Sequence, residues 1–266
     1  MEIYFQAVVL GALEAATEFL PVSSTGHLIL AGHVLGFEGP PGRVFEVAIQ
    51  LGAIGAIVVL YFAKLWSVLV GFLRGDSAAR SFVLAVLLGF LPAMVLGAGL
   101  HGIIKGYLFN PTVVCVMLVL GGIAILAIER WVPMAQIYRV EDLGWRRALQ
   151  IGCFQCVAMI PGVSRSGATI MGALLMGVER KVAAEYSFFL ALPTMLGAVV
   201  FDLYKNRDVL AVGDLQLIAV GFVTAFVVAL PVAKWFVGFV SSRGFAPFAY
   251  YRIVLGVLGL VGLYLM

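Results

Sequence analysis

Residues 14–27 read EAATEFLPVSSTGH and place carboxylates, hydroxyls and an imidazole within a chain that is otherwise strongly apolar. Pro21 and Gly26 interrupt the helical pattern in this stretch, because proline lacks the backbone donor and glycine permits irregular backbone. The apolar piece that follows, residues 28–37, is too short to cross a bilayer. Non-helical backbone at membrane depth is tolerated only where protein or a watery cavity satisfies its polar groups. The stretch therefore predicts a re-entrant helical hairpin with a polar tip.

The composition places the chain in a membrane. Hydrophobic residues make up 63% of the 266 residues, charged residues make up 12%, and the mean hydropathy is +1.09. Such values are typical of an integral membrane protein, and we expect a single membrane domain over residues 1–266. The net charge is +3, and the basic residues are scattered through the loops without forming a basic stripe. This pattern argues against a nucleic-acid partner, so the lipid headgroups of the membrane are the only polyanion that we expect the protein to contact.

A second break, PGVSRSG at residues 161–167, follows a second apolar piece. A shift of 141 residues aligns Gly11 with Gly152, Glu14 with Gln155, Val22 with Val163, Ser23 with Ser164, Gly26 with Gly167 and Phe45 with Tyr186. Segments of spanning length follow each break, at about 45–62, 82–100 and 111–129 and at about 184–203, 215–236 and 247–266. We therefore expect an all-α inverted-topology repeat, about 1–130 and 147–266, each half a re-entrant hairpin plus three transmembrane helices.

The charges of the loops predict the orientation. If residues 1–44 start on one face, the opposite face receives 11 of the 17 basic residues. The first face receives four, which are Arg43, Lys105, Lys205 and Arg207. Basic loops face the cytoplasm, so both termini are predicted outside. The two hairpin tips then meet near the midplane, where inverted-repeat proteins commonly place their sites, and we expect Ser24 and Arg165 to come together.

The first tip combines acidic, hydroxyl and imidazole groups. Glu14 and Glu18 are spaced i, i+4, so both carboxylates project from one helical face and can share a cation or a proton. Each charge costs roughly 2.5–3.5 kcal/mol at the bilayer centre, which favours a function, and such oxygen ligands suit Mg²⁺ or Ca²⁺. Ser24 lies three residues before His27, a spacing that allows the imidazole to activate the hydroxyl.

The second tip contributes a cation. Arg165 offers a planar guanidinium suited to phosphate, and Ser164 and Ser166 add donors for the same anion. In the first tip, Ser23 and Thr25 are further candidate substrate-binding hydroxyls, with capping of a helix as the alternative for Ser23. A nucleophile, a base, carboxylates for a metal and an arginine together indicate phosphoryl transfer. The alternative is that the glutamates pair with Arg165 only to join the hairpins.

The runs EAATEFLPVSSTGHLIL and PGVSRSGATI, with FEVAIQLG and IGCFQC around them, resemble the undecaprenyl-diphosphate phosphatase family of the bacitracin-resistance type over nearly the whole chain. Ala15 departs from the family pattern, which usually has glycine there. The resemblance implies removal of the terminal phosphate from a polyprenyl diphosphate lipid, which yields the carrier lipid for cell-wall synthesis. The residues that match the family's site are the acidic pair Glu14 and Glu18, the proposed nucleophile Ser24, the catalytic His27 and the phosphate-binding Arg165. A divalent cation, a site opening to the outer face of the bacterial inner membrane and a homodimer are also implied.

Three questions remain open at this level. The attacking group is Ser24, deprotonated by His27 or through Glu18, or His27 itself, or a metal-bound water. Inverted repeats with broken helices are also typical of transporters, so the alternative function is a lipid-phosphate or anion transporter or flippase that uses Arg165 without chemistry. Arg252, within the last predicted span, either lines the cavity or extends to an interface.

Overall fold

The computed structural model describes residues 2–40, 44–108, 110–206 and 214–265, and this part of the chain forms eleven α-helices and no β-strand. The helices are α1 (Glu2–Glu18), α2 (Ser24–Leu35), α3 (Val44–Leu60), α4 (Phe62–Arg74), α5 (Ser77–Tyr107), α6 (Pro111–Trp131), α7 (Trp145–Val157), α8 (Arg165–Leu175), α9 (Arg180–Asn206), α10 (Asp214–Arg243) and α11 (Ala246–Leu265). The all-α prediction is therefore confirmed. Arg43 and Arg207, which entered the orientation argument, lie outside the described residues.

Five helices are long and apolar enough to cross a membrane, namely Ser77–Gly97 of α5, α6, Arg180–Val200 of α9, α10 and α11. Helices α3 and α4 are bent by 73° relative to each other and together form a sixth candidate span. These segments coincide with the six spans that the hydropathy pattern predicts. The chain is therefore a multi-pass membrane protein.

Helix α4 is the element that the hydropathy pattern did not predict. Residues 64–80 were expected to be a loop, because they include Lys64, Arg74 and Arg80. In the structure α4 begins after the bend at Tyr61 and ends before Gly75, which adopts the left-handed conformation that favours glycine. No residue of α4 is buried, and large apolar side chains such as Trp66 are exposed. The helix is amphipathic, which a hydropathy average over its length conceals.

Two helix crossings bring backbones into direct contact at paired glycines. A Cβ atom on Gly11 of α1 would meet the backbone of Gly221 on α10. In the same way, a Cβ atom on Gly152 of α7 would meet the backbone of Gly89 on α5. Small residues of this kind let membrane helices approach closely. Each of the two short helical pairs, α1–α2 and α7–α8, is thereby attached to one long helix.

The connector between α6 and α7 is ordered and covers one end of the bundle. The amide of Glu179 donates to the carbonyl of Ile137 at 2.9 Å, and the side chains of Val140 and Leu143 are buried. Lys64 forms a 2.8 Å ion pair with Glu141. Partial burial acts to raise the pKa of Glu141, but its hydrogen bonds and the charges of Lys64 and Arg139 together outweigh burial and hold this pKa below its usual value. These contacts tie the connector to α4 and to the start of α9.

Candidate active site

Two hairpin tips with the same backbone turn lie at the centre of the site. We call residues 18–27 the first tip and residues 159–168 the second tip. Ser23 and Ser164 have φ angles of 70° and 78° and are the non-glycine residues with positive φ in the described part of the chain. The hydroxyl of Ser23 accepts a hydrogen bond from the amide of Gly26 at 3.4 Å, and that of Ser164 accepts from Gly167 at 3.1 Å. Each serine therefore caps the helix that follows it, as the alternative reading of Ser23 predicted.

The serines of the second tip bind the backbone of the first tip. The Ser166 hydroxyl donates to the carbonyl of Leu20 at 2.7 Å, and the Ser164 hydroxyl lies 3.0 Å from that of Ser166. Both serines are buried. They were predicted to donate to an anion, but in the structure these contacts join the two tips. Their predicted role as anion donors stays a prediction, and Ser164 does line the central cavity described below.

Glu18 connects the two tips chemically. One carboxylate oxygen, Oε2, accepts a 2.5 Å hydrogen bond from the Ser24 hydroxyl. The other, Oε1, forms a 2.7 Å ion pair with Nη2 of Arg165. Arg165 also donates through Nη1 to the Ser187 carbonyl at 2.8 Å. The expected meeting of Ser24 and Arg165 therefore occurs through one shared carboxylate, with both ion-pair side chains almost fully buried.

Glu14 lies one helical turn before Glu18 and is fully buried, with 0% of its surface exposed. Neither of its carboxylate oxygens has a hydrogen-bond partner among the described residues, and the Nε of Arg165 is likewise buried without one. Buried polar groups are normally satisfied, so these atoms indicate an acceptor pair and a donor available to a ligand.

A divalent cation fits this arrangement if the substrate and water supply ligands beside those of the protein. The described residues contain no group of three His, Cys, Asp or Glu side chains that could hold a metal by themselves. Mg²⁺, however, is usually bound by one or two carboxylates together with waters and substrate phosphates. Glu14 and Glu18 supply two carboxylates, and the unpaired oxygens of Glu14 are the ligands that such an ion requires.

His27 does not contact Ser24. Its Nδ1 donates to the Ser23 carbonyl at 2.8 Å, and its Nε2 lies 2.6 Å from the hydroxyl of Tyr251. The imidazole also stacks on the Tyr251 ring, with centroids 5.6 Å apart and planes 6° apart. The ring nitrogens of His27 therefore bind groups other than Ser24, whose hydroxyl is bound by Glu18, and activation of Ser24 by His27 stays a prediction. Tyr251 is 224 residues away in sequence and was not predicted.

Arg252 joins both tips to α6, does not extend to an interface, and is not among the described residues that line the two cavities at the tips. Only 1% of its surface is exposed. Its guanidinium donates five hydrogen bonds of 2.8–3.3 Å to backbone carbonyls, which belong to Pro21, Gly162, Val163, Met117 and Leu118. Gly121 leaves room for this group, since a Cβ atom there would collide with the guanidinium. No local pattern in the sequence identifies such a contact.

Two neighbouring cavities open at the tips. The smaller has a volume of about 140 Å³ and is lined by polar residues of both tips, including Glu18, Ser24, Thr25 and Arg165. The larger, of about 560 Å³, extends between α2, the start of α3 and the start of α6, and it is mainly apolar with Glu38 and Glu46 in its wall. Thr25 lines both cavities. The arrangement suits an anionic headgroup in the small cavity and apolar matter beside it.

Comparisons with known proteins agree with this geometry. Residues 7–258 match the family described as "Bacitracin resistance protein BacA". The chain is 56% identical over 249 residues to a protein of Sphingopyxis alaskensis named "Undecaprenyl-diphosphatase", with 94% of each chain covered. It is 57% identical over 258 residues to "Undecaprenyl-diphosphatase 1" of Agrobacterium fabrum, with 97% of this chain and 96% of the relative covered. It is 55% identical over 261 residues to the "Undecaprenyl-diphosphatase" of Sinorhizobium fredii, with 98% and 97% covered. The chain belongs to the BacA family of bacitracin resistance proteins.

Proposed function

We propose that the protein hydrolyses undecaprenyl diphosphate to undecaprenyl phosphate and inorganic phosphate, which recycles the lipid carrier for cell-wall synthesis and confers bacitracin resistance. Relatives named as undecaprenyl-diphosphatases share 55–57% of their residues with nearly the whole chain. The observation that carries the proposal is the Glu18 carboxylate, which binds the Ser24 hydroxyl on one oxygen and the Arg165 guanidinium on the other. A base, a nucleophile and a cation thus meet at one polar cavity.

In the proposed first step, the Ser24 hydroxyl gives its proton to Glu18 and its oxygen attacks the terminal phosphorus. A bond forms between Ser24 Oγ and phosphorus, and the anhydride bond breaks, so undecaprenyl phosphate leaves. Arg165 balances negative charge on the phosphoryl oxygens, and its unpaired Nε is a donor available for this purpose.

In the second step, water attacks the phosphoserine and the Ser24 oxygen departs, taking its proton back from Glu18. The water leaves one proton on the released phosphate and the other with solvent. Attack by Ser24 is favoured over attack by His27, because both ring nitrogens of His27 are engaged elsewhere while the Ser24 oxygen lines the small cavity.

Glu14 and Glu18 are the residues that would hold a divalent cation, Mg²⁺ or Ca²⁺. When bound, such an ion supplies positive charge that stabilises phosphoryl oxygens. The proposal is supported by the two unpaired oxygens of Glu14, which are fully buried beside Glu18. Without a cation or a proton, two neighbouring buried carboxylates repel each other.

We also propose that the fold is an inverted-topology repeat with two re-entrant hairpins. The matching left-handed serine caps, 141 residues apart, support this reading. So do the two glycine crossings, where α1 meets α10 and α7 meets α5 in corresponding ways. Phe45 packs against Gly221, and Tyr186, which aligns with Phe45 under the 141-residue shift, packs against Gly89 in the same way.

The larger cavity is the proposed route of the substrate. It lies at the ends of α2, α3 and α6 that the charge distribution assigns to the outer face of the bacterial inner membrane. The diphosphate would pass from this cavity to the small one by way of Thr25, while the prenyl tail stays in lipid between helices. External termini and a homodimer remain predictions of this proposal.

The test is phosphate release from undecaprenyl diphosphate by the purified protein in detergent, with and without Mg²⁺ or Ca²⁺. Ser24→Ala should lower kcat by at least about 10³-fold, since nucleophile removal has effects of this order. Thr25→Ser, which keeps a hydroxyl at the neighbouring position, should keep activity within a few fold. No release by folded wild type in any metal would contradict the proposal and favour a transporter. Full activity of Ser24→Ala would instead point to attack by water.

A further inference from the structure

We infer that Tyr251 is a positioning residue for the phosphatase reaction, and that it acts on Ser24 through His27 and the backbone of Ser23. The inference rests on the proposed function. Its basis is a continuous line of short contacts: the Tyr251 hydroxyl lies 2.6 Å from His27 Nε2, and His27 Nδ1 lies 2.8 Å from the Ser23 carbonyl. Ser23 directly precedes the proposed nucleophile.

The direction of these hydrogen bonds follows from the chemistry of the groups. A carbonyl oxygen only accepts, so His27 Nδ1 carries the proton that points at Ser23. A neutral imidazole has one donor and one acceptor nitrogen, so Nε2 accepts and the Tyr251 hydroxyl donates. A doubly protonated ring would be a buried cation without a carboxylate at either ring nitrogen, because His27 is buried and, among the described residues, its ring nitrogens contact only the Ser23 carbonyl and the Tyr251 hydroxyl. The Ser23 carbonyl therefore sets the tautomer of His27, and the Tyr251 hydroxyl stabilises it by supplying the donor that Nε2 needs.

The selected tautomer supports a strained turn. Ser23 has a left-handed φ of 70°, a strained conformation for a residue with a Cβ atom that persists only where its surroundings enforce it. The Ser23 carbonyl accepts two hydrogen bonds from His27, one from the backbone amide at 3.2 Å and one from Nδ1 at 2.8 Å. With the other tautomer Nδ1 would be an acceptor facing a carbonyl, and the second bond would be lost.

The second tip shows that the turn itself does not require an imidazole. Its left-handed serine, Ser164, is followed four residues later by Ala168, where the first tip has His27. The amide of Ala168 still donates to the Ser164 carbonyl, at 3.0 Å. The imidazole and its tyrosine thus occur only at the tip that contains the proposed nucleophile.

Tyr251 acts at a distance from the substrate. It is not among the described residues that line either cavity, and 47% of its surface is exposed on the outside of α11. Its effect on the reaction must therefore pass through His27. This makes it a positioning residue and predicts an effect on turnover with little effect on substrate affinity.

The kinetic test compares Tyr251→Phe with Tyr250→Phe. Phenylalanine keeps the stacked ring and removes only the hydroxyl, while Tyr250 is a neighbouring exposed tyrosine that serves as the matched control. We expect Tyr251→Phe to lower kcat by about 3- to 10-fold, the range for loss of one hydrogen bond, with KM within about twofold. Tyr250→Phe should match wild type. In a His27→Gln background, Tyr251→Phe should cause no further loss.

The spectroscopic test uses protein labelled with ¹⁵N-histidine, in which the His27 signals are those missing from His27→Gln. The chain has three histidines, so this assignment is direct. Wild type should show a protonated Nδ1 and an unprotonated Nε2, and Tyr251→Phe should show a mixture of tautomers. A purely structural tyrosine would leave the tautomer unchanged.

The inference is overturned if Tyr251→Phe retains wild-type kcat, if Tyr250→Phe loses as much, or if the His27 tautomer is the same with and without the Tyr251 hydroxyl. A folded wild type that releases no phosphate overturns the proposed function instead. The tautomer measurement separates these two failures, because it needs no substrate.

Discussion

The two hairpin tips share a backbone and differ in chemistry. Both place a serine at a left-handed φ near 70–80°, and both use its hydroxyl to cap the following helix. At the next position, however, the first tip has Ser24 and the second has Arg165. The two tips thus share a backbone turn while the side chains that line the cavity differ.

The difference shows a division of roles between the tips. In the second tip, the hydroxyl of Ser166 is engaged by the backbone of Leu20, so its hydrogen-bonding capacity holds the tips together. In the first tip, the hydroxyl of Ser24 is bound by the carboxylate of Glu18, so its proton has a base to accept it. In the proposed mechanism the first tip supplies the nucleophile and the base, while the second tip supplies the guanidinium and serine contacts to the first.

Removing the charge of Glu18, which connects the tips, should have the largest effect on activity. Glu18→Gln takes away both the base for Ser24 and the partner of Arg165. We expect kcat to fall by about 10³-fold, within the range for loss of a general base. The measurement is phosphate release by the folded variant at saturating metal. Glu2→Gln, which changes an exposed carboxylate that lines neither cavity, is the control and should stay within about threefold. Near wild-type activity of Glu18→Gln would rule out Glu18 as the base.

Weakening the buried guanidinium that joins the tips should have the next largest effect. Arg252→Lys can replace at most three of the five hydrogen bonds to backbone carbonyls. We expect the free energy of unfolding to fall by about 2–4 kcal/mol, because each buried carbonyl left without a donor costs about 1–3 kcal/mol. Unfolding in detergent measures this loss. The exposed Arg243→Lys should change stability by less than about 0.5 kcal/mol, and an equal loss in both variants would show that the carbonyl contacts are not decisive.

The smallest effect is expected at Glu14, whose aligned residue in the second half is already an amide, Gln155. Glu14→Gln removes a buried carboxylate that has no partner among the described residues, so the metal-free protein should gain about 1–3 kcal/mol of stability. The metal concentration for half-maximal activity should rise by about tenfold or more. Thermal unfolding with EDTA and a metal titration of activity measure the two effects. Lower stability together with an unchanged metal requirement would contradict cation binding by Glu14.

Much of the fold was predictable from local patterns. The apolar segments and the breaks at Pro21 and at Pro161 indicated helices and two helix breaks, because hydropathy and helix interruption depend on neighbouring residues. The polar residues that line the small cavity, among them Ser24 and Arg165, came from the stretches around these breaks. Helix α4 was missed because its apolar residues cover one face and its charges the other.

The sequence by itself determined that the chain is helical, that it belongs in a membrane and that its polar groups gather at two breaks, since the cost of burying polar groups in lipid allows few alternatives. Only the tertiary structure decided how these groups pair. In the structure the Ser24 hydroxyl is hydrogen-bonded to Glu18 and not to His27, and the His27 ring is hydrogen-bonded to Tyr251. The Arg252 guanidinium donates to backbone carbonyls of both tips. These partners lie up to 231 residues apart in the sequence. The packing of α11 and α6 against the tips brings them together, and a periodic pattern along the chain does not show such long-range packing.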